Sequence, residues 1–299
     1  MRRLIALLFC AALFATPISM SAWGLEAHRM ITERAIQGLP DGLKPFYLAR
    51  SAFVAEHSVD PDLWRVVGLR SDRGEEDPNH FLDIDGLDDP RPFVNVPRDW
   101  AAYVAKYGVE RANRAGRLPW RAEDVYRLLV SRFQDVPKSP QGYGAENAAY
   151  LSAVLAHYVE DAHVPFHAVV NYDGQLTNQR GIHARFESEL VARNRASLTL
   201  APVTIRPIRN VRDFIFDRLI ESEALAGAIL AADRAAKAGR EAYDDGYFAA
   251  FLKDVRPVLE RRLSEAASGV ASVIVAAWTE AGKPAMPVKI APALVRVGR

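Results

Sequence analysis

The sequence predicts a mainly α-helical protein with one large helical domain. Two observations support this: apolar residues recur at intervals of three and four along most of the 299-residue chain, and the period-two alternation typical of half-buried strands is scarce. The sequence contains no internal repeat and no low-complexity block that would indicate a solenoid or a disordered chain. Because 49% of the residues are hydrophobic, the chain can bury a substantial core.

Helical periodicity covers eight segments in chain order, at 25–38, 43–57, 100–114, 122–133, 147–161, 183–195, 211–238 and 243–281. We expect the last segment to be bent or interrupted near Pro257, because proline lacks the N–H that a helix hydrogen bond requires. The proline-rich stretches 89–97 and 201–207 are predicted to be loops.

Residues 1–22 have the pattern of an export signal. Arg2 and Arg3 precede an apolar run that is too short for a comfortable membrane span, and small residues lie near Ala22. Cleavage there would leave Trp23 as the new amino terminus, although Met20 occupies a position where a small residue is preferred. We therefore expect a secreted or periplasmic protein, and Cys10, the one cysteine, would be removed with the signal.

The expected mature chain consists of one domain over residues 23–284 and a C-terminal tail over 285–299. Without Arg2 and Arg3, the 38 basic residues fall to 36 against 37 acidic ones, a net charge of −1. That balance excludes a bulk basic field for long nucleic acids or anionic membranes, so any anion must be attracted locally. We expect a monomer without a stable protein partner.

Histidines and carboxylates are crowded into residues 157–187. His157 and Asp161 lie four apart and would share one helix face, and His183 and Glu187 repeat this spacing. His167 follows Pro165, which ends the helix and lets a third ligand approach from another direction. One such pair alone would usually be a surface ion pair, but two pairs with His167 favour a metal site. Nitrogen and carboxylate ligands without cysteine favour zinc in an open catalytic site, with manganese or iron as alternatives.

Three motifs together resemble the zinc-dependent phospholipase C and single-strand-specific nuclease superfamily. They are Trp23-Gly-Leu-Glu-Ala-His28, His157-x-x-x-Asp161-x-x-x-x-x-His167 and His183-x-x-x-Glu187. The segment 160–167 is similar to the family's Gly-Asp-x-x-x-Pro-x-His pattern, with Glu160 in place of the glycine. The resemblance extends from residue 23 to about residue 190, and it implies a multi-helix domain of this family's type.

The resemblance also implies three zinc ions and their ligands. The first zinc would be bound by His80, His157, Asp161 and an upstream aspartate, the second by His167, His183 and Glu187, and the third by Trp23, His28 and Asp161. The amino nitrogen and carbonyl oxygen of Trp23 would chelate the third ion, which only a processed chain can do.

The upstream aspartate is either Asp60 or Asp62. We prefer Asp62, because its Asp-x-x-Arg context is more similar to the family pattern, and we expect it to orient the nucleophile. The other histidine inside the metal segment, His163, is expected to orient a ligand carboxylate from behind. We expect His57 to be a helix-end or core histidine, and Tyr172 to contact substrate.

The expected reaction is hydrolysis of a phosphodiester by a hydroxide that bridges zinc ions. The His-x-x-x-Glu pair and the length of the 171–183 linker are closer to the phospholipase C branch, whose lipid substrate would bring peripheral membrane contact. A single-strand-specific nuclease or 3′-nucleotidase is the alternative on the same scaffold. A periplasmic zinc-binding protein without catalytic activity is the alternative of another class.

Overall fold

The computed structural model describes residues 24–71, 74–139 and 142–290. The predicted signal, Trp23 and residues 291–299 of the predicted tail lie outside these ranges. The described part is mainly helical, which confirms the predicted class. Its helices are α1 (Leu25–Gln37), α2 (Lys44–Leu48), α3 (Ser51–His57), α4 (Asp60–Val66), α5 (Trp100–Tyr107), α6 (Val109–Ala115), α7 (Leu118–Asp135), α8 (Tyr143–Asp161), α9 (Ile182–Ala184), α10 (Leu190–Asn194), α11 (Val211–Lys237) and α12 (Asp245–Glu280).

The strand content of the described residues is one small antiparallel pair, β1 (Arg70–Ser71) and β2 (Gly74–Glu75), with Arg70 opposite Glu75. Short 3₁₀ turns include Asp77–Asn79 and Pro165–His167, and a π-helical turn, Arg185–Glu189, joins α9 to α10. No helix in the described ranges combines the length and the apolar character that a membrane span needs.

Helix α8 runs through the middle of the fold. It packs against α7, α12 and α3, and every residue from 152 to 169 is buried. Small side chains such as Ala148, Ala149 and Ala153 let neighbouring helices approach closely, and the buried apolar residues form one core cluster around them. The carboxyl end of α8, where Asp161 lies, is therefore held on several sides.

Two predicted helices are each divided in the structure. The segment 43–57 is split at Arg50, whose buried guanidinium pairs with Glu146 and also donates to the backbone carbonyl groups of residues 287–289. The segment 100–114 is split at Gly108, which has a φ of 80°. These breaks depend on a distant partner and on backbone conformation, which apolar periodicity does not report.

Of the bend or interruption expected near Pro257, the interruption does not occur. Helix α12 continues from Asp245 to Glu280 with Pro257 inside it. A proline removes one helix hydrogen bond, whereas α12 packs against α1, α7, α8 and α11 and buries side chains along its whole length. We infer that this packing outweighs the missing bond.

Candidate metal centre

Eight of the predicted ligands lie in one buried cluster, although they come from different elements. Each of these eight residues is at most 4% exposed. The ligands come from α1, α4, the segment after the 3₁₀ turn 77–79, α8, the 3₁₀ turn 165–167, α9 and the π-helical turn. In chain order they are His28, Asp62, His80, His157, Asp161, His167, His183 and Glu187. The fold thus joins segments more than 150 positions apart.

The first group consists of His80, His157 and Asp161. Asp161 Oδ2 lies 3.0 Å from His80 Nδ1 and 3.1 Å from His157 Nε2, and these two nitrogens are 3.0 Å apart. Asp62 completes the group, with Oδ1 3.8 Å from His80 Nδ1 and 3.9 Å from His157 Nε2. Four donor atoms therefore lie close together, and they belong to the residues that the resemblance implies for the first ion.

The second group consists of His167, His183 and Glu187. Glu187 Oε2 lies 3.0 Å from His183 Nε2 and 4.0 Å from His167 Nε2. The carboxylate belongs to the π-helical turn, a kind of insertion that often occurs at functional sites. One donor atom from each of the three residues lies within 4.8 Å of the others, so the group can hold a metal ion.

His28 adjoins the first group, with its ring stacked on that of His157 at a centroid distance of 4.2 Å, and it faces the other oxygen of Asp161. Its Nε2 is 3.7 Å from Asp161 Oδ1 and 4.0 Å from Asp62 Oδ2. The two oxygens of Asp161 therefore face different histidines, as a carboxylate that bridges two ions would require. Trp23, the other predicted ligand on this side, lies outside the described residues.

Hydrogen bonds to the second ring nitrogen orient several of these histidines. His157 Nδ1 lies 2.8 Å from the carbonyl oxygen of Ser58, and His167 Nδ1 lies 2.7 Å from that of His80. An imidazole that donates from Nδ1 presents the lone pair of Nε2, which is the arrangement that metal-bound histidines usually have. In both residues Nε2 faces the cluster.

Several polar atoms of the cluster are buried and have no hydrogen-bond partner among the described residues. They are His28 Nε2, Asp62 Oδ1, His80 Nε2, Asp161 Oδ1 and both ring nitrogens of His183. Leaving buried polar atoms without a partner is costly. Bound cations would satisfy the inward-facing atoms, so the cluster fits a site for metal ions, and its donors suit zinc.

The metal-free charge state follows from burial and from mutual contacts. Burial lowers the pKa of His80 and that of His183 to about 3, so both rings are neutral at pH 7. Burial alone would also lower the pKa of His157, but the Asp161 and Asp62 carboxylates outweigh it and raise that pKa to about 9. Burial raises the pKa of Asp62 to about 7, although the charge of His157 opposes this.

The structure places Asp60 and Asp62 in different surroundings. Asp62 is 2% exposed and lies in the cluster, whereas Asp60 Oδ2 is 2.9 Å from His57 Nδ1 on the neighbouring turn. The geometry therefore agrees with the choice of Asp62. His57 ends α3, where a helix-end histidine was expected.

His163 lies apart from the cluster. Its Nδ1 is 2.7 Å from the carbonyl oxygen of Val159, and its ring is near Phe214 and Gly269 on the side of α11 and α12. None of the hydrogen bonds found in the described ranges connects its ring to a ligand carboxylate. The structure therefore gives no support to the role predicted for His163, because its ring lies against α11 and α12 and its Nδ1 is paired with the backbone of α8.

A cavity of about 320 Å³ opens beside the first two groups and is lined in part by His80, His167 and His183. Tyr172 lies at its edge with 47% of its surface exposed, and its ring centroid is 6.3 Å from that of His183. This is where a residue that contacts substrate would have to lie. The cavity therefore gives access to candidate ligands of both groups.

The cavity also has charged walls. Arg65, Arg114, Asp77 and Asp83 line it. Burial, with a contribution from the charge of Asp85, raises the pKa of Asp83 to about 8, so this carboxyl is mostly neutral at pH 7. Two guanidinium groups therefore line the cavity, and they can attract an anion.

Three contacts of the cluster were not predicted from the sequence. Glu160 lies against His28, Glu76 Oε1 is 3.8 Å from His80 Nε2, and Arg65 Nη2 is 3.3 Å from Asp62 Oδ1. The replacement of glycine by Glu160 was the one available signal for the first contact. The Asp-x-x-Arg spacing was the signal for the third, since residues three apart are neighbours on a helix.

Comparisons with known proteins add no family assignment. No protein-family model matches the chain, and no curated protein is significantly similar to it in sequence.

Proposed function

We propose that this protein is a secreted, zinc-dependent phosphodiester hydrolase that binds three zinc ions. The observation that carries the proposal is the convergence of His and carboxylate donors in a buried cluster that opens into a cavity. The motifs of the phospholipase C and single-strand nuclease superfamily support the same function. The predicted export signal supports the location.

All the ligands that we propose for two of the ions, and part of those for the third, are among the described residues. His80, His157, Asp161 and Asp62 would hold the first, His167, His183 and Glu187 the second, and His28 with Asp161 would join Trp23 at the third. Zinc lowers the pKa of bound water towards neutrality and stabilises negative charge on phosphate.

The chain's own groups would orient the reactants. The carboxylate of Asp62, held by Arg65, lies between the histidines of the first and third positions, where it can accept a hydrogen bond from the attacking water. Arg65 and Arg114 would attract the phosphodiester anion into the cavity. The depth of the cluster excludes bulk water from the reacting phosphate.

For the substrate we favour a phospholipid. Besides the spacing of the second-ion pair, exposed apolar side chains flank Tyr172 in the sequence: Val170 is 38% and Leu176 is 68% exposed. Such side chains suit acyl chains or a membrane surface better than a polynucleotide. The half-exposed ring of Tyr172 is the observation that favours a single-strand nuclease or 3′-nucleotidase, because bases stack on such rings.

A substrate panel tests this function. We expect the zinc-loaded protein to cleave bis-p-nitrophenyl phosphate and phosphatidylcholine, and to act less on single-stranded DNA and RNA. Asp62→Asn should lower turnover about 100-fold or more, since a proton-accepting group is removed. The matched control is Asp60→Asn, which should retain activity because Asp60 pairs with His57 outside the cluster.

Preferential cleavage of single-stranded DNA or RNA would transfer the proposal to the nuclease branch. Full zinc content without cleavage of any member of the panel would favour a zinc-binding protein without catalytic activity.

A further inference from the structure

Glu160 is a buried carboxyl group between α1 and α8. Its Oε2 lies 2.5 Å from His28 Nδ1, and the hydroxyl of Thr32 donates to its Oε1 at 2.7 Å. All three residues are at most 1% exposed. Both carboxyl oxygens therefore bind side chains of α1, and one of these is a predicted ligand of the third ion.

The contact determines which nitrogen of His28 is available. A neutral imidazole that donates from Nδ1 to a carboxylate must present the lone pair of Nε2. That nitrogen has no hydrogen-bond partner among the described residues and faces Asp161 Oδ1 at 3.7 Å and Asp62 Oδ2 at 4.0 Å. When it is ionised, a carboxylate in this position increases the basicity of the ring, which strengthens a bond to a cation.

Glu160 also marks the place where the chain departs from the pattern that it resembles. A glycine at this position has no side chain and could not contact His28. Consecutive residues of a helix point about 100° apart, so α8 can direct Asp161 into the cluster and Glu160 towards α1. The substitution thus adds a carboxylate behind a ligand without displacing the bridging carboxylate.

We propose that Glu160 is a positioning residue for the third metal ion and holds His28 with Nε2 directed at that ion. This inference rests on the trinuclear site of the proposed function but not on the reaction. It requires that loss of the carboxylate lower the affinity for the third ion more than the affinities for the other two.

The test is zinc binding without substrate. Glu160→Gln keeps the size of the side chain and removes its charge, and we expect the affinity for one of the three zinc ions to fall about 10- to 100-fold. Glu223→Gln is the matched control, because Glu223 is also a buried glutamate but pairs with Arg91. It should leave all three affinities unchanged.

A second background identifies the ion. One alanine added before Trp23 should remove the chelate of the third ion, and Glu160→Gln should then have little further effect on the remaining two. The urea midpoint of metal-free Glu160→Gln should equal that of the metal-free wild type if Glu160 only positions His28. A lower midpoint together with equal loss at all three ions would indicate a general structural role.

Should Glu160→Gln not fold, Thr32→Val removes one support of the carboxylate and should give a smaller loss at the same ion. The proposal is overturned if Glu160→Gln leaves all three affinities unchanged, or weakens all three equally. Because no substrate is used, absence of hydrolysis would contradict the proposed function and leave this result intact.

Discussion

Asp161 has the central position among the candidate ligands because its two oxygens face different histidines. Oδ2 lies within 3.1 Å of nitrogens of His80 and His157, whereas Oδ1 lies 3.7 Å from His28 Nε2. Glu187 lies 3.0 Å from His183 and 4.0 Å from His167, both of the second group. The two carboxylates should therefore differ in the number of ions that depend on them.

Replacing each carboxylate by its amide should reveal this difference. We expect Asp161→Asn to lower the zinc content at two positions and Glu187→Gln to lower it at one, as measured by elemental analysis after dialysis. Asp60→Asn, the same chemical change outside the cluster, should leave the zinc content unchanged. Equal zinc content in all three variants would contradict the ligand assignment.

The metal-free charge state predicts proton release on zinc binding. The pKa of His157 is raised to about 9 and that of Asp62 to about 7, so both residues hold protons more tightly than usual. Both must lose a proton to bind a cation, so zinc binding at pH 7 should release protons. Zinc affinity should fall as the pH is lowered from 9.

Calorimetric titrations in two buffers of different ionisation enthalpy would measure this release. Any proton lost by the amino group of Trp23 would add to the value. A binding enthalpy that is independent of the buffer would contradict the predicted charge state.

The histidine and carboxylate pairs could be predicted from the sequence because each is local. Residues four apart on a helix share a face, and His157 Nε2 and Asp161 Oδ2 are indeed 3.1 Å apart. The contact between Glu160 and His28 joins positions 132 apart. It depends on how α1 packs against α8, which the local pattern does not contain.

Among the elements, the turn at Gly116 positions the His80 segment. Gly116 has a φ of 110°, and a Cβ there would lie 2.1 Å from the carbonyl oxygen of Phe81, the residue after His80. Gly108 also has a positive φ, of 80°, but a Cβ at that position would meet no atom within 4 Å. The two glycines therefore share a backbone requirement and differ in their contacts.

Alanine substitutions at these glycines should separate the effect of backbone strain from that of moving the Phe81 backbone. Gly108→Ala should cost about 1–3 kcal/mol of the free energy of unfolding from backbone strain and leave zinc binding intact. Gly116→Ala should cost more and weaken binding of the first zinc, because the Phe81 backbone must move. Urea unfolding and zinc titration would measure both effects, and equal zinc affinities in the two variants would contradict this role of Gly116.

The path of the loop at 201–207 could not be predicted from the sequence either. The loop predicted at 201–207 extends along α12, where the hydroxyls of Ser264 and Ser272 accept hydrogen bonds from the backbone N–H groups of Ala201 and Arg206. Serines spaced along a helix face are equally typical of a solvated surface. Only the path of the loop shows that they bind backbone.

In the whole molecule, the helical class and most helix positions followed from periodicity, because the core-facing stripes of α1, α7, α8, α11 and α12 are long. The π-helical turn and the divided helices could not be predicted from periodicity, because single residues and distant contacts determine them. The predicted amino terminus lies outside the described residues and needs its own experiment.

Adding one alanine before Trp23 provides that experiment. The amine would then be one residue away from the tryptophan carbonyl, so the five-membered chelate could not form, while the first two ions would keep all their ligands. We expect the zinc content to fall from three to two per chain, with the amino terminus verified by mass spectrometry. Three retained ions would contradict the chelate.

The distribution of the ligands over α1, α4, α8 and the segments around them has a consequence for durability. If Cys10 is removed with the signal, no disulfide can hold the mature chain together, and the ions would act as removable cross-links between distant segments. Metal dissociation would then precede unfolding and limit its rate, so that resistance to heat would be kinetic. A strong chelator should shorten the half-life of the folded protein at elevated temperature. In a zinc-poor medium, the protein would still be folded but would unfold faster.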